Sequence, residues 1–260
     1  MVAAVVTAGV VVASRPDRTH YIAAGDSLAV GEGATVEGQF GYAGLFDQFY
    51  KKDHRGSERY TNVAVPGENS TDFGGDQLEA VVTAIDQEDS EVDVVTLTIR
   101  ANDFLPLLRA EPCVSDPAGL ACQGAVAVAL GGFAANYQSI LTQLTVALSS
   151  DLGAGRIIVT TLYNPHDGTG SPFELPIDIV LLGFDGKIDC AASQADPRNG
   201  GLNDIAACVG AGAGATVVDL HPLFDGKAPA LTHIAEGDVH PNNDGHQAIA
   251  DAVIEAYSGS

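Results

Sequence analysis

Ser27 is the residue of this chain that is best placed to act as a nucleophile. It stands in the tetrapeptide Gly-Asp-Ser-Leu at 25–28, directly after a short apolar segment at 21–24. A serine at a sharp turn between a strand and a helix presents its hydroxyl at the carboxyl end of a sheet, and its own N–H can point toward a developing oxyanion. Taken alone, the tetrapeptide fits an ordinary helix start better, since aspartate and serine are favoured caps.

Three further polar motifs follow predicted strands or open predicted helices. Residues 62–70 (Asn-Val-Ala-Val-Pro-Gly-Glu-Asn-Ser) end a second apolar segment, and residues 101–103 (Ala-Asn-Asp) end a third. Residues 240–242 (His-Pro-Asn) open the last helical pattern, with Asp238 just before them. No single motif is specific. The combination, in this order over residues 20–258, resembles the SGNH or GDSL hydrolase family.

This resemblance implies a flavodoxin-like, three-layer α/β/α fold with a five-stranded parallel sheet. It also implies that Ser27 is the nucleophile, that His240 is the general base, and that the Ser27 backbone, Gly67 and Asn102 form the oxyanion hole. The physical reasons agree, because two or three fixed donors stabilise the charge of a tetrahedral intermediate by several kcal/mol. Gly67 lets the backbone approach without a Cβ, and Asn102 supplies an uncharged side-chain N–H.

His240 has to be distinguished from six other histidines. It alone stands in a His-Pro-Asn context with Gly245 following. A general base must come within about 3 Å of the Ser27 hydroxyl, and the start of the last helix lies on the sheet edge where this is feasible. We expect His246, six residues further along, to be a packing or surface residue.

The acidic member of the triad departs from the family pattern, which is usually Asp-x-x-His. Here the residue three before His240 is Gly237, whereas Asp238 is two before and Glu236 is four before. The third triad residue orients the imidazole and stabilises its cation. We expect Asp238 to do this, with Glu236 or a backbone carbonyl as alternatives.

A second departure is Arg100, which stands where the family usually has a glycine. One interpretation is a salt bridge to Asp103 or Asp26. Another places the guanidinium in the cleft as a substrate-binding group for a carboxylate or phosphate. A third is a damaged oxyanion hole with low activity.

Strand-like and helix-like segments alternate along residues 15–260, which we interpret as a single domain. Such alternation predicts a parallel sheet with helices on both faces. The strand predictions rest on β-branched and apolar runs, and the helix predictions on apolar residues at helical spacing. The predicted strands cover 21–24, 60–65, 92–99, 156–162 and 215–220, and the predicted helices cover 78–85, 133–148 and 248–257.

Two segments, 104–124 and 163–212, are too long and too rich in proline and glycine for simple crossovers. Long excursions in compact domains are often functional loops or lids. Within the second, the apolar run 177–184 is either a lid that favours an acyl chain or ordinary core packing.

The charge of the chain limits its partners. It has 34 acidic and 12 basic residues, for a net charge of −22. Such a surface repels phosphate backbones and anionic headgroups, so nucleic-acid binding is not expected. The pair of carboxylates at Asp26 and Asp103 could also indicate a metal site or a glycosidase. We do not favour these, because Ser27, Asn102 and His240 already give the cleft a function. We therefore predict no metal and no organic cofactor.

Cysteines and the N-terminus both bear on location. Local closure favours the pairs Cys113–Cys122 and Cys190–Cys208, which implies an oxidising compartment, with four free thiols as the alternative. Residues 1–14 resemble a truncated signal peptide, the alternatives being a strand or an anchor helix. No other stretch is long enough to cross a bilayer. These features predict a secreted or cell-envelope protein.

Three functions fit these observations. The first is a serine esterase or lipase, which forms an acyl-enzyme on a small-molecule or lipid ester. The second is a non-catalytic carbohydrate or surface-binding protein on the same scaffold. The third is a carbohydrate deacetylase or acyltransferase with the same site. We expect a monomer with no nucleic-acid partner and no stable membrane span.

Overall fold

The computed structural model describes residues 18–56, 58–87, 90–116, 119–150, 155–183, 186–191 and 200–259. The signal-peptide prediction for residues 1–14 lies outside the described residues.

Among the described residues, five parallel strands form one sheet: β1 (Thr19–Gly25), β2 (Glu58–Asn62), β3 (Glu91–Thr98), β4 (Arg156–Thr160) and β5 (Thr216–Val218). Their order in the sheet is β2-β1-β3-β4-β5. The sheet and its flanking helices confirm the predicted α/β/α fold class. Chain order reverses at β1, whose neighbours are β2 and β3, and ligands of open α/β sheets bind at such switch points.

Helices connect the strands and cover both faces of the sheet. A π-helical segment, Phe73–Gln77, directly precedes the helix that begins at Leu78, and 3₁₀ turns cover Ala101–Asp103 and Ile234–Glu236. The α-helices are α1 (Ser27–Val30), α2 (Glu37–Phe40), α3 (Tyr42–Asp53), α4 (Ser70–Asp72), α5 (Leu78–Ile85), α6 (Leu105–Leu108), α7 (Leu120–Ser150), α8 (Glu174–Leu182), α9 (Leu202–Gly212), α10 (His221–Phe224), α11 (Ala228–Leu231) and α12 (Asn243–Ser258).

The strands are apolar on both faces because each face supports its own core. In β1, Ile22 and Ala24 pack with α5, α7, α8 and α9 on one side. Tyr21 and Ala23 pack with α3 and α12 on the other. This alternation follows from the two-residue period of a strand. It holds β1 firmly between β2 and β3, with its carboxyl end at the switch point.

Helix α7 is much longer than the predicted helix at 133–148. It has 31 residues, and by length and composition alone it qualifies as a membrane span. The expectation that no stretch outside the N-terminus is long enough is therefore wrong. Its second half nevertheless packs on the sheet through Phe133, Tyr137 and Ile140, as a core helix of a globular domain does.

The two long excursions contain both disulfides and two core-packing helices. Cys113 pairs with Cys122 and Cys190 pairs with Cys208, at Cα–Cα distances of 4.7 and 5.6 Å. The pairing predicted from local closure is thus confirmed. The lid interpretation of 177–184 is wrong for the described part of that run, because α8 buries its residues 180–182 in the core.

Candidate active site

Ser27 follows a turn that only particular residues can form. Gly25 has a φ of +131°, and a Cβ there would collide with the carbonyl oxygen of Thr98 on the neighbouring strand. Asp26 is the N-cap of α1, and its Oδ1 accepts the N–H of Leu28 at 3.1 Å. Strand β1 therefore ends at a glycine, and Ser27 begins the short helix at the carboxyl edge of the sheet.

His240 approaches Ser27 from the segment before α12. Its Nε2 lies 2.9 Å from Ser27 Oγ, and its Nδ1 lies 2.6 Å from Asp238 Oδ1. A carboxylate can only accept, so Nδ1 carries the proton and Nε2 is left to accept from the serine hydroxyl. The pKa of Asp238 is lowered, since hydrogen bonds from the His240 N–H and ring outweigh the opposing effect of burial.

Glu236, the alternative acidic residue, does not contact His240. Its carboxylate lies 4.0 Å from Nδ1 of His233, and its side chain is 69% exposed. Gly237 follows it with a φ of +83° and turns the chain toward Asp238. Of the two acidic residues that the sequence left open, the structure brings only Asp238 to the imidazole.

The three predicted oxyanion donors follow β1, β2 and β3. Within the described part of the chain, the N–H groups of Ser27 and Gly67 donate no hydrogen bond to the protein. Gly67 has a φ of +77°, which favours glycine. Asn102 donates from Nδ2 to the carbonyl of Glu68 at 2.8 Å, which joins the third motif to the second. One N–H of that amide is left for a ligand.

The model of the GDSL-like lipase/acylhydrolase family matches residues 23–248, which include all the motifs above. The chain belongs to this family. No curated protein matches it in sequence.

Solved structures similar to this chain include a lipase and esterases. The lipase Lip_vut3 from a goat rumen metagenome is 19% identical with a TM-score of 0.63, covering 91% of this chain and 96% of the lipase. The acetylxylan esterase Axe2 of Geobacillus stearothermophilus is 16% identical with a TM-score of 0.57, covering 94% of each. The esterase EstA from Pseudoalteromonas sp. is 13% identical with a TM-score of 0.53, covering 92% of this chain and 97% of the esterase. At these sequence identities, the similarity shows a shared fold and nothing more.

Arg100 is the main correction to the predicted site of this GDSL-family chain. It is 0% exposed, so the prediction that it binds a substrate anion is wrong. Its Nη1 donates to Thr160 Oγ1 at 3.3 Å, and the guanidinium lies 5.7 Å from the ring centre of Tyr137. No carboxylate among the described residues lies within salt-bridge distance of it. The side chain turns inward between the sheet and α7 instead of outward into the cleft.

The two flanking aspartates have separate structural roles. Burial raises the pKa of Asp26 to about 6, although the Leu28 N–H and the charge of Arg100 work against that rise. Asp103 accepts from the N–H of Ser70 at 3.0 Å and from its Oγ at 2.6 Å, and so ties the third motif to the start of α4. The described residues contain no group of three or more His, Cys, Asp or Glu placed to hold a metal.

Sequence reasoning missed Glu32, whereas His246 is the packing residue that was one of its two predicted roles. Glu32 Oε2 lies 3.1 Å from His240 Nε2, so a second carboxylate faces the ring, and it can accept from Nε2 only once that nitrogen has taken the serine proton. His246 is 0% exposed and donates from Nε2 to the Glu32 carbonyl at 2.9 Å. The only sequence signal for Glu32 is its place between two glycines, Gly31 and Gly33, just after the nucleophile helix.

Proposed function

We propose that this GDSL-family chain is a serine esterase that hydrolyses carboxylic esters of small molecules through an acyl-enzyme on Ser27. The observation that carries the proposal is the continuous hydrogen-bonded chain from Asp238 through His240 to Ser27, with distances of 2.6 and 2.9 Å. This arrangement lets an imidazole remove the serine proton while a carboxylate stabilises the resulting cation.

The reaction begins with attack of Ser27 Oγ on the carbonyl carbon as its proton moves to Nε2 of His240. The negative charge develops on the carbonyl oxygen. The N–H groups of Ser27 and Gly67 and the amide of Asn102 are assigned to stabilise it. The bond to the alcohol then breaks, and the alcohol oxygen takes the proton from Nε2. Water repeats the sequence on the acyl-enzyme and releases the acid.

The test compares the wild-type chain with Ser27→Ala on p-nitrophenyl acetate, butyrate and decanoate. We expect hydrolysis that falls to background in the variant, together with labelling of the wild type alone by a serine-reactive phosphonate. The chain-length profile separates an esterase from a lipase. A folded protein that neither hydrolyses these esters nor reacts with the phosphonate would overturn the proposal and favour a binding role.

The disulfides support a location outside the cytoplasm. Bonds of this kind persist in oxidising compartments and are rare where thiols are kept reduced. Both predicted pairs are closed in the structure. We expect protein isolated from the producing cells to take up no alkylating reagent until it is reduced. Four alkylated cysteines before reduction would contradict this location.

A further inference from the structure

The carboxylate of Glu32 occupies the space beside the nitrogen that must transfer the proton. Its Oε2 lies 3.1 Å from Nε2 of His240, the same atom that lies 2.9 Å from Ser27 Oγ. The Glu32 side chain is 32% exposed, so it faces the open side of the site. Neither the hydrogen-bonded chain from Asp238 to Ser27 nor the three oxyanion donors makes use of this carboxylate.

The backbone of Glu32 is held firmly in this position. Its N–H donates to the Ser27 carbonyl at 3.0 Å, and its carbonyl accepts from Nε2 of His246 at 2.9 Å. The next carbonyl, that of Gly33, contacts Nε2 of His233 at 2.9 Å. A Cβ on Gly33 would collide with the Pro241 carbonyl oxygen, which shows how closely this loop packs on the histidine segment. Glu32 is therefore part of the wall of the site and not a loosely placed surface group.

The position of the Glu32 carboxylate matters for the step in which the alcohol leaves. After the serine proton reaches Nε2, the departing alcohol oxygen must come within about 3 Å of the same nitrogen to receive it. Oε2 of Glu32 already lies at that distance from Nε2. The groups attached to the alcohol oxygen must therefore pass close to the Glu32 carboxylate, whereas the acyl chain extends from the other side of the carbonyl carbon.

We propose that Glu32 selects the alcohol part of the substrate by charge. Its carboxylate attracts a cationic alcohol part, accepts hydrogen bonds from alcohol hydroxyls, and repels an anionic alcohol part. This inference rests on the proposed esterase function and narrows it to esters whose alcohol carries no negative charge. Because Glu32 is partly exposed, solvent and salt screen the effect, and a discrimination of about fivefold per unit charge is expected at low salt.

The experiment uses acetates that share one acyl group and differ in the alcohol. Acetylcholine is cationic, 3,3-dimethylbutyl acetate is its neutral isostere, and 2-acetoxyethanesulfonate is anionic. Acid release is followed by titration with the full chain at low salt, and kcat/KM is compared between substrates within each enzyme. That ratio cancels any general effect of Glu32 on His240 or Ser27.

Three variants complete the design. We expect Glu32→Gln to reduce the preference for acetylcholine over the sulfonate by about 25-fold, which is fivefold for each of the two charge units between them, mainly through KM. Glu32→Asp retains the charge and should retain the direction of the preference. Glu79→Gln, which removes an exposed carboxylate on α5, provides the control for net charge and should leave the ratio unchanged.

The outcomes separate this proposal from the one on which it rests. An active enzyme whose substrate ratios are the same in wild type and Glu32→Gln overturns the assignment of Glu32 and leaves the esterase proposal standing. A preference that disappears equally in Glu79→Gln also overturns it, since the cause is then net charge. Acetate hydrolysis that is equal in wild type and Ser27→Ala removes the esterase function, and the Glu32 proposal with it.

Discussion

Oδ1 of Asp238 accepts two hydrogen bonds from one residue, His240: the ring Nδ1 lies at 2.6 Å and the backbone N–H at 3.0 Å. The two contacts together fix both the backbone and the ring of the histidine. A separation of two residues is possible because Gly237, in the left-handed region, ends the preceding 3₁₀ turn and redirects the chain. The shortened spacing thus still delivers a carboxylate to Nδ1.

The first prediction follows from this double contact. Asp238→Asn should lower kcat for p-nitrophenyl acetate by about 100-fold or more, because an amide neither fixes the productive tautomer nor stabilises the imidazolium. Glu236→Gln is the matched control and should change kcat by less than about twofold, since its side chain is 69% exposed and does not contact His240. Steady-state kinetics on both variants provides the measurement. Equal losses in the two variants would contradict the role assigned to Asp238.

The second prediction concerns the oxyanion hole. Asn102→Ala should lower kcat by about 100- to 1000-fold with a much smaller change in KM, because the lost donor acts on charge that develops only in the transition state. Asn136→Ala removes another amide in the same region, one that donates to Ser70 Oγ at 3.0 Å. We expect that control to stay within about threefold of wild type. A loss confined to KM in Asn102→Ala would assign the residue to ground-state binding instead.

The parts of the site that could be predicted depend on residues that are close together in the sequence. The turn from Gly25 to Ser27 depends on a glycine conformation and a capping aspartate, both of which occupy consecutive positions. Asn102 likewise follows directly from the end of a strand. Parallel strands end at one edge of the sheet, so motifs at strand ends must meet there.

The features that were not predicted, or were predicted wrongly, depend on contacts between segments that are distant in the sequence. Glu32 meets His240 and His246 across more than 200 residues, and no local pattern marks such a meeting. The direction of Arg100 depends on Thr160 and Tyr137, which belong to a different strand and to α7. The apolar run in α8 has the composition of a lid and of a core helix alike, and only the packing of neighbouring helices decides between them.

The third prediction uses the burial of Asp26. Its pKa is raised from an ordinary 3.8 to about 6 in the folded chain, so the folded state binds a proton more tightly than the unfolded state. The stability from this proton is present below pH 3.8 and is lost as pH rises through about 6.

Asp26→Asn removes that titration and retains a side-chain oxygen that can accept from the Leu28 N–H. As pH rises from about 3.5 to about 7.5, the free energy of unfolding of the variant should therefore increase by about 3 kcal/mol relative to that of the wild type. Urea unfolding at both pH values measures the difference. A difference between variant and wild type that does not change with pH would show that Asp26 titrates normally.

The fourth prediction has the opposite sign and concerns His246. Its Nδ1 accepts the N–H of Tyr42 at 3.2 Å and its Nε2 donates to the Glu32 carbonyl, so the fold requires the neutral ring. Burial lowers its pKa from 6.5 to about 4. The stability from this residue is present above pH 6.5 and is lost as pH falls through about 4, because the unfolded state then binds the proton first.

His246→Gln removes this titration. The wild type should therefore lose about 3 kcal/mol of unfolding free energy relative to the variant as pH falls from about 7.5 to about 3.5. Because His246 holds the carbonyl of Glu32, the variant should also weaken the substrate-charge preference, while Ser27 stays reactive toward a phosphonate. His233→Gln is the matched control, since it removes the contact to the Gly33 carbonyl with a ring that is 38% exposed, and it should not reproduce the stability change. A pH-dependent stability difference of the same size in both variants would show that burial of His246 is not the cause.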